Sequence, residues 1–192
     1  LWLSILYTFI IVNNEGVQYT EPKLKVSGIE AVRSSTPSAC RDNIKEALKI
    51  IMSGDELATQ KFITNFREEF KKLPFEEVAF PRSVRGMSKY IDHSTIYRKS
   101  TPIHVKGALI YNHMLREKGL QKRIPLIGEG EKIKFCYLVM PNPAQSPVIS
   151  APGTLPKEVD LDSYIDYNAQ FDKAFLEPLK TILDAIGWQP EK

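Results

Sequence analysis

The sequence predicts an α+β chain: a β-hairpin first, then a mostly α-helical part with one further small β element. Three observations predict it. Leu1 to Val12 (LWLSILYTFIIV) is uncharged, β-branched and aromatic, and a turn sequence follows it. Apolar residues at three- and four-residue spacing then recur from Cys40 to Leu73. Lys132 to Met140 (KIKFCYLVM) has strand composition.

Taken in order, the first segment reads as a buried strand, since twelve residues fall short of the ~20 that a membrane span needs. Asn13-Asn14-Glu15-Gly16 is a hairpin turn, with Gly16 free to take a positive φ. Val17 to Lys25 is the returning strand, and Pro22 confines that part to an edge or a strand end. Thr36 as N-cap with Pro37 at the first helical position starts a helix through Cys40, Ile44, Leu48 and Ile51, ending at Ser53-Gly54. Asp55 caps a second helix with Leu57, Phe62, Phe66, Phe70 and Leu73 on one side, and Pro74 stops it. Joined by so tight a turn, the two helices form an antiparallel hairpin. Pro81 to Ser100 lacks periodicity; Arg82, Arg85 and the Arg98-Lys99 pair mark exposed basic loops. His104 to Arg116 is a short helix, Pro141 to Pro156 a loop, and Asp160 to Trp188 a long amphipathic helix kinked at Pro178.

The net charge is +3, but it is unevenly spread. Residues 1–81 hold 10 Lys/Arg against 11 Asp/Glu, residues 82–134 hold 12 against 4, and residues 135–192 hold 4 against 8. A middle of net +8 between acidic flanks fits a surface that faces phosphates. It equally fits a solvated face.

No catalytic or metal-ligating constellation emerges. Cys40 and Cys136 lack a CxxC spacing and read as reduced thiols, and the three histidines share no HxxxH or HxH spacing. The pairs Glu68/Glu69, Glu76/Glu77 and Asp160/Asp162 sit on a polar helix face, beyond a helix end and at a helix start. There is no GxGxxG or GxxxxGK[ST] phosphate loop and no GxSxG elbow. Gly128-Glu129-Gly130-Glu131 carries two acids that would repel a phosphate, so it reads as a loop before a strand.

Two segments say more than their composition. Glu21-Pro22-Lys23-Leu24-Lys25-Val26-Ser27-Gly28-Ile29-Glu30 with Arg33-Ser34-Ser35-Thr36-Pro37 resembles the end of the palm in family B DNA polymerases of large tailed bacteriophages. Thr101-Pro102-Ile103-His104-Val105-Lys106-Gly107-Ala108-Leu109, then Tyr111-Asn112, resembles a segment of their thumb. Gly130-Glu131-Lys132 and Phe171-Asp172-Lys173-Ala174-Phe175-Leu176-Glu177-Pro178-Leu179 continue the likeness in the same order, which spans about Asn13 to Trp188.

The resemblance implies a palm C-terminal remnant at 1–35 and a thumb at 36–192. The thumb would grip primer–template duplex DNA through phosphates and sugars, without reading sequence. It implies DNA contacts from Tyr7, Arg33, Ser34, Ser35, Thr36, His104, Lys106, Gly107, Asn112, Lys132 and Lys173. Gly107 would let backbone come close to the duplex while the Lys106 ammonium meets a phosphate. It implies a nucleotidyltransferase whose two-metal chemistry, with Mg2+, belongs to aspartates outside this chain, so no catalytic or metal residue and no cofactor is assigned here. The implied partners are the remaining palm, fingers and exonuclease and a sliding clamp, whose binding tail is not in this sequence. No membrane partner is implied, and the setting is the replisome in the cytoplasm of an infected bacterial host. Ser4-Ile5-Leu6-Tyr7 departs from the family's basic Lys-Lys-Arg-Tyr run and keeps only the tyrosine, and Glu177 stands where some relatives carry a basic residue. Two alternatives lack enzymatic activity: a split-polymerase subunit and a stand-alone nucleic-acid-binding accessory protein.

Overall fold

The computed structural model describes residues 7–14, 17–27, 33–92 and 94–191. It has the expected mixed α+β character, with a helical part and a small antiparallel sheet. The backbone divides into two compact units, one of residues 1–69 with 173–192, the other of residues 70–172.

In the first unit, β1 (Tyr7–Asn14) and β2 (Val17–Ser27) pair antiparallel. Pairing runs from Tyr7↔Ser27 to Ile11↔Lys23, breaks, and resumes at Asn13↔Gln18. Pro22 falls in that break, where its missing N–H takes no ladder bond away. Leu1 to Leu6, the Glu15-Gly16 turn centre and residues 28–32 lie outside the described residues.

Helix α1 (Ser38–Met52) starts one residue later than expected. Pro37 takes the N-cap position, because its carbonyl accepts from Cys40 N–H at 3.1 Å and Arg41 N–H at 3.3 Å. Its buried stripe is Cys40, Ile44, Ala47, Leu48 and Ile51, as four- and three-residue spacing demands. The Cys40 thiol is pushed up to about 12 by burial, so at neutral pH it is a packing group. Gly54, at φ 81, allows the chain to reverse after Ser53. Asp55 then caps α2 (Glu56–Phe70), its Oδ1 accepting from Ala58 N–H at 2.8 Å.

The apolar side of α2 is rotated from the expected one: Phe66 and Phe70 lie on it, and Leu57 does not. Leu57 is 65% exposed, while Thr59, Ile63, Phe66 and Phe70 are buried. Phe66 meets Phe175 edge to face, with ring centroids 4.8 Å apart. The segment after the last helix lies along α2: Gln189 N–H donates to Glu56 Oε1 at 3.0 Å, and Gln60 Nε2 donates to Gln189 C=O at 3.0 Å. Arg67 forks onto Glu191 at 2.8 and 3.0 Å.

The long C-terminal helix is replaced by shorter turns. Asp166 caps α6 (Tyr167–Phe171), a π-helical turn covers Asp172–Leu176, and α7 runs Glu177–Ala185. Pro178 has no N–H for the Ala174 carbonyl, and its ring crowds that carbonyl. A widened turn accommodates both effects just before the proline, where a simple kink was expected.

The second unit is built on a three-stranded antiparallel sheet ordered β3 (Phe80–Ser83), β6 (Lys132–Tyr137), β7 (Val148–Ala151). Two of these strands fall in stretches read as loops. β3 is an edge strand and therefore tolerates Pro81. β7 is buried at all four positions and shows no alternation. Register puts Phe80, Phe135 and Ser150 side by side, and Ser150 faces α5 (Ile103–Glu117). On the other face, the Lys134 Nζ donates to the Glu76 carbonyl of α3 (Phe75–Val78) at 2.6 Å. Cys136, also fully buried, has its thiol pushed far up by burial and by the Asp162 charge. Phe70 belongs to this core, edge-on to Phe171 at 5.4 Å and Tyr167 at 6.3 Å. A four-residue α4 (Met87–Tyr90) and a two-stranded ribbon, β4 (Ile91–Asp92) with β5 (Ile96–Tyr97), stand where basic loops were expected. Arg85, Arg98 and Lys99 are nevertheless exposed.

Candidate nucleic-acid interface

Three of the expected site residues, His104, Lys106 and Gly107, lie at the N-terminal turn of α5. Pro102 precedes this helix, and its carbonyl accepts from Lys106 N–H at 2.8 Å. The first turn holds no acidic side chain, so the positive end of the helix dipole is not offset by a carboxylate. Lys106 is half-buried, with its Nζ 4.8 Å from the centre of the Tyr97 ring on β5. Arg82 on β3 covers the Phe135 ring at 6.0 Å, and the His104 ring lies 6.3 Å from the same phenyl group. Arg82 and His104 therefore meet at the Phe135 ring, while Lys106, two residues further along α5, is placed against β5. Lys132, exposed at the start of β6, is paired in register with Ser83, next to Arg82.

His104 is held below its ordinary value of 6.5, first by desolvation and then by the Arg82 charge. At pH 7 its ring is mainly neutral, and the charge beside Phe135 comes from Arg82. An NMR titration should place the His104 midpoint under 6.5, and Arg82→Gln should move it upward. A midpoint at or above 6.5 in the unsubstituted chain would remove the burial argument. Because the folded value is the depressed one, the unfolded chain binds more protons near this pH. The associated stability is present above about 6.5 and is lost as pH falls below it.

Two of the expected contacts have structural duties. Gly107 is buried against β7, and a Cβ there would stand 2.8 Å from Ser150 N and 2.9 Å from Ile149 C. The close approach that this glycine permits in the structure is to the protein's own strand. Ser150 Oγ donates to the His104 carbonyl at 2.9 Å across the same contact. Asn112 is buried too, its Nδ2 donating to Ile127 C=O at 2.8 Å and its Oδ1 accepting from Ile127 N–H at 2.7 Å. Burial and those two bonds remove the Asn112 amide from any outside contact.

The other expected residues belong to the first unit. Arg33 and Ser34 are exposed, Ser35 is half-buried, and Thr36 is buried with its N–H bonded to Arg33 C=O at 3.2 Å. Tyr7 stands opposite Ser27 in the hairpin. Lys173 is exposed and 3.6 Å from Glu177, so the acidic replacement at 177 forms an ion pair one helical turn away.

The glycine-rich turn before β6 acts as its charges predict. The Glu129 carboxylate accepts from Gly86 N–H and, at 2.8 Å, from Met87 N–H, which fills the place an anion would take. Among the described residues no group of three or more His, Cys, Asp or Glu side chains could hold a metal ion. No described helix is long and apolar enough to cross a membrane. Sequence reading passed over Tyr97. Its only signal is an aromatic residue beside the Arg98-Lys99 pair, with no spacing that ties it to Lys106.

No protein-family model matches the chain. It is 30% identical over 190 residues to the DNA-directed DNA polymerase of Enterobacteria phage T4 and, over the same length, 30% identical to that of Escherichia phage RB69. The matched part is 97% of this chain but 21% of either relative. Along almost all of its length, then, the chain is similar to about a fifth of a phage DNA-directed DNA polymerase.

Proposed function

We propose that this chain is the palm end (1–35) and thumb (36–192) of a family B phage DNA polymerase, and that it grips primer–template duplex DNA during replication in the infected bacterial cytoplasm. The observation that carries the reading is the similarity to two phage DNA polymerases across 190 residues. Basic groups of the second unit support it with a chemistry suited to phosphates: Arg82 and Lys132 on neighbouring strands, and Lys106 in a first helical turn that carries no acid. Arg33 and Lys173 are the further phosphate partners proposed in the first unit, with Tyr7 and the Ser34–Thr36 turn beside the primer.

Nucleotidyl transfer belongs to the complete polymerase with Mg2+. The described residues bring together no ligand set that fits the ion, so no chemical step is assigned to them. The rest of the palm, the fingers and the exonuclease are the proposed partners; a sliding clamp is proposed for the full-length polymerase and not for this stretch.

A salt titration with duplex DNA tests the grip. Binding is expected to be independent of sequence and to weaken as salt rises, with log affinity linear in log salt. Lys106→Ala should lower that slope by about one, and Lys132→Ala by a similar amount. A folded chain that leaves duplex unbound at low salt would contradict the proposal.

A further inference from the structure

The ammonium group of Lys106 is seated in an unusual way for a surface lysine. No carboxylate lies within ion-pair distance of it among the described residues, and it stands over the face of Tyr97 at 4.8 Å. An aromatic face attracts a cation without neutralising it. A carboxylate partner would have to be displaced before a phosphate could bind, whereas a ring can stay in place beneath the lysine while the phosphate approaches from the open side.

The ribbon that carries Tyr97 is built to hold that ring. Ile96 sits at φ 70, in the left-handed region that a β-branched residue avoids. Several bonds hold the turn in this conformation. Asp92 Oδ1 accepts from Ser94 N–H at 2.8 Å, Ser94 Oγ at 2.6 Å and Thr95 N–H at 3.3 Å. Thr95 Oγ1 donates to Tyr97 C=O at 3.1 Å, and Arg98 N–H donates to Tyr90 C=O at 2.9 Å. The Asp92 carboxyl is held below its ordinary value chiefly by the Ser94 hydroxyl bond, then by the Ser94 N–H bond, so it remains a full acceptor. The register pairs Ile91 with Tyr97.

We infer that Tyr97 is a positioning residue for duplex DNA: it holds the Lys106 ammonium, still fully charged, in place for a backbone phosphate. The inference rests on the proposed grip of the duplex and adds to it a residue that touches the lysine instead of the DNA. Tyr97→Phe keeps the ring face and should leave binding unchanged. Tyr97→Leu removes it and should weaken binding of a short labelled duplex about two- to fivefold, the range expected for a partly exposed cation–π contact. In a Lys106→Ala background the same Tyr97→Leu change should have no further effect. Tyr97→Thr, which suits a strand, replaces the leucine variant if that one does not fold.

A second readout needs no DNA: the Lys106 ε-methylene protons should show an upfield ring-current shift in the unsubstituted chain and in Tyr97→Phe. Equal losses in both lysine backgrounds, or a missing ring-current shift in a chain that binds duplex, would overturn the positioning role and leave the grip standing. A chain with the ring-current shift that does not bind duplex would overturn the grip, and the positioning role with it.

Discussion

Replacing Gly107 with valine is expected to destabilise the chain by about 3 kcal/mol, the upper part of the range for overpacking a well-filled core. In a free helix the change would help, since glycine is about 1 kcal/mol worse than alanine at an interior position. Here the new Cβ meets Ser150 N at 2.8 Å and Ile149 C at 2.9 Å, and both belong to the backbone of a strand buried along its whole length. Neither can move without breaking the pairing of β7 with β6 or lifting α5 from the sheet. The clash therefore outweighs the gain in helix propensity, and Gly107→Ala should also destabilise, by a smaller amount. Urea unfolding followed by circular dichroism measures both. An alanine variant more stable than the parent would mean that α5 is not seated on β7 as described.

Asn112→Leu is expected to cost a similar amount, about 3 kcal/mol, for the opposite reason: it removes a partner instead of adding bulk. Ile127 is buried, and the Asn112 amide satisfies both its N–H and its C=O. Each backbone group left unpaired costs ~1–3 kcal/mol, which the added apolar burial of leucine only partly offsets. Asn112→Asp makes the test sharper. An aspartate keeps the acceptor for Ile127 N–H but turns its charge toward the Ile127 carbonyl. Once protonated, it can donate to that carbonyl again. The aspartate variant should therefore be destabilised at pH 7 and recover relative to the parent as pH falls. A flat difference between the two across pH would show that Asn112 does not bridge Ile127 in solution.

The sequence revealed those elements whose signal is local. Helices α1, α2 and α5 follow from apolar spacing and from Asp55, and β6 from its composition. β7 escaped because four fully buried residues in a Pro- and Ser-rich stretch show neither alternation nor length. β3 escaped because a proline argues against a strand unless its edge position is known. The apolar side of α2 was misjudged at Leu57 because periodicity admits neighbouring stripes, and only tertiary packing chooses between them.

The candidate site was legible in the same uneven way. Lys106, Lys132 and the basic middle stand out in the sequence, since they are a matter of composition and motif. Gly107 and Asn112 were legible as special positions, but their packing on β7 and bonding to Ile127 were not. A sequence marks where a small or an amide side chain is needed, and the fold decides what comes close to it. Tyr97 was invisible, because its partnership with Lys106 exists only once β5 lies against the first turn of α5.

The Asn112 clamp has a consequence in solvent exchange. Ile127 lies in a loop, outside every strand ladder, yet its N–H is bonded to a buried side-chain amide. Its deuterium uptake should be as slow as that of a core helix, released only when the unit of residues 70–172 opens. Because an amide clamp carries no charge, that protection should hold across the salt range of a DNA titration. One slow loop proton thus reports whether the unit stays closed as salt rises.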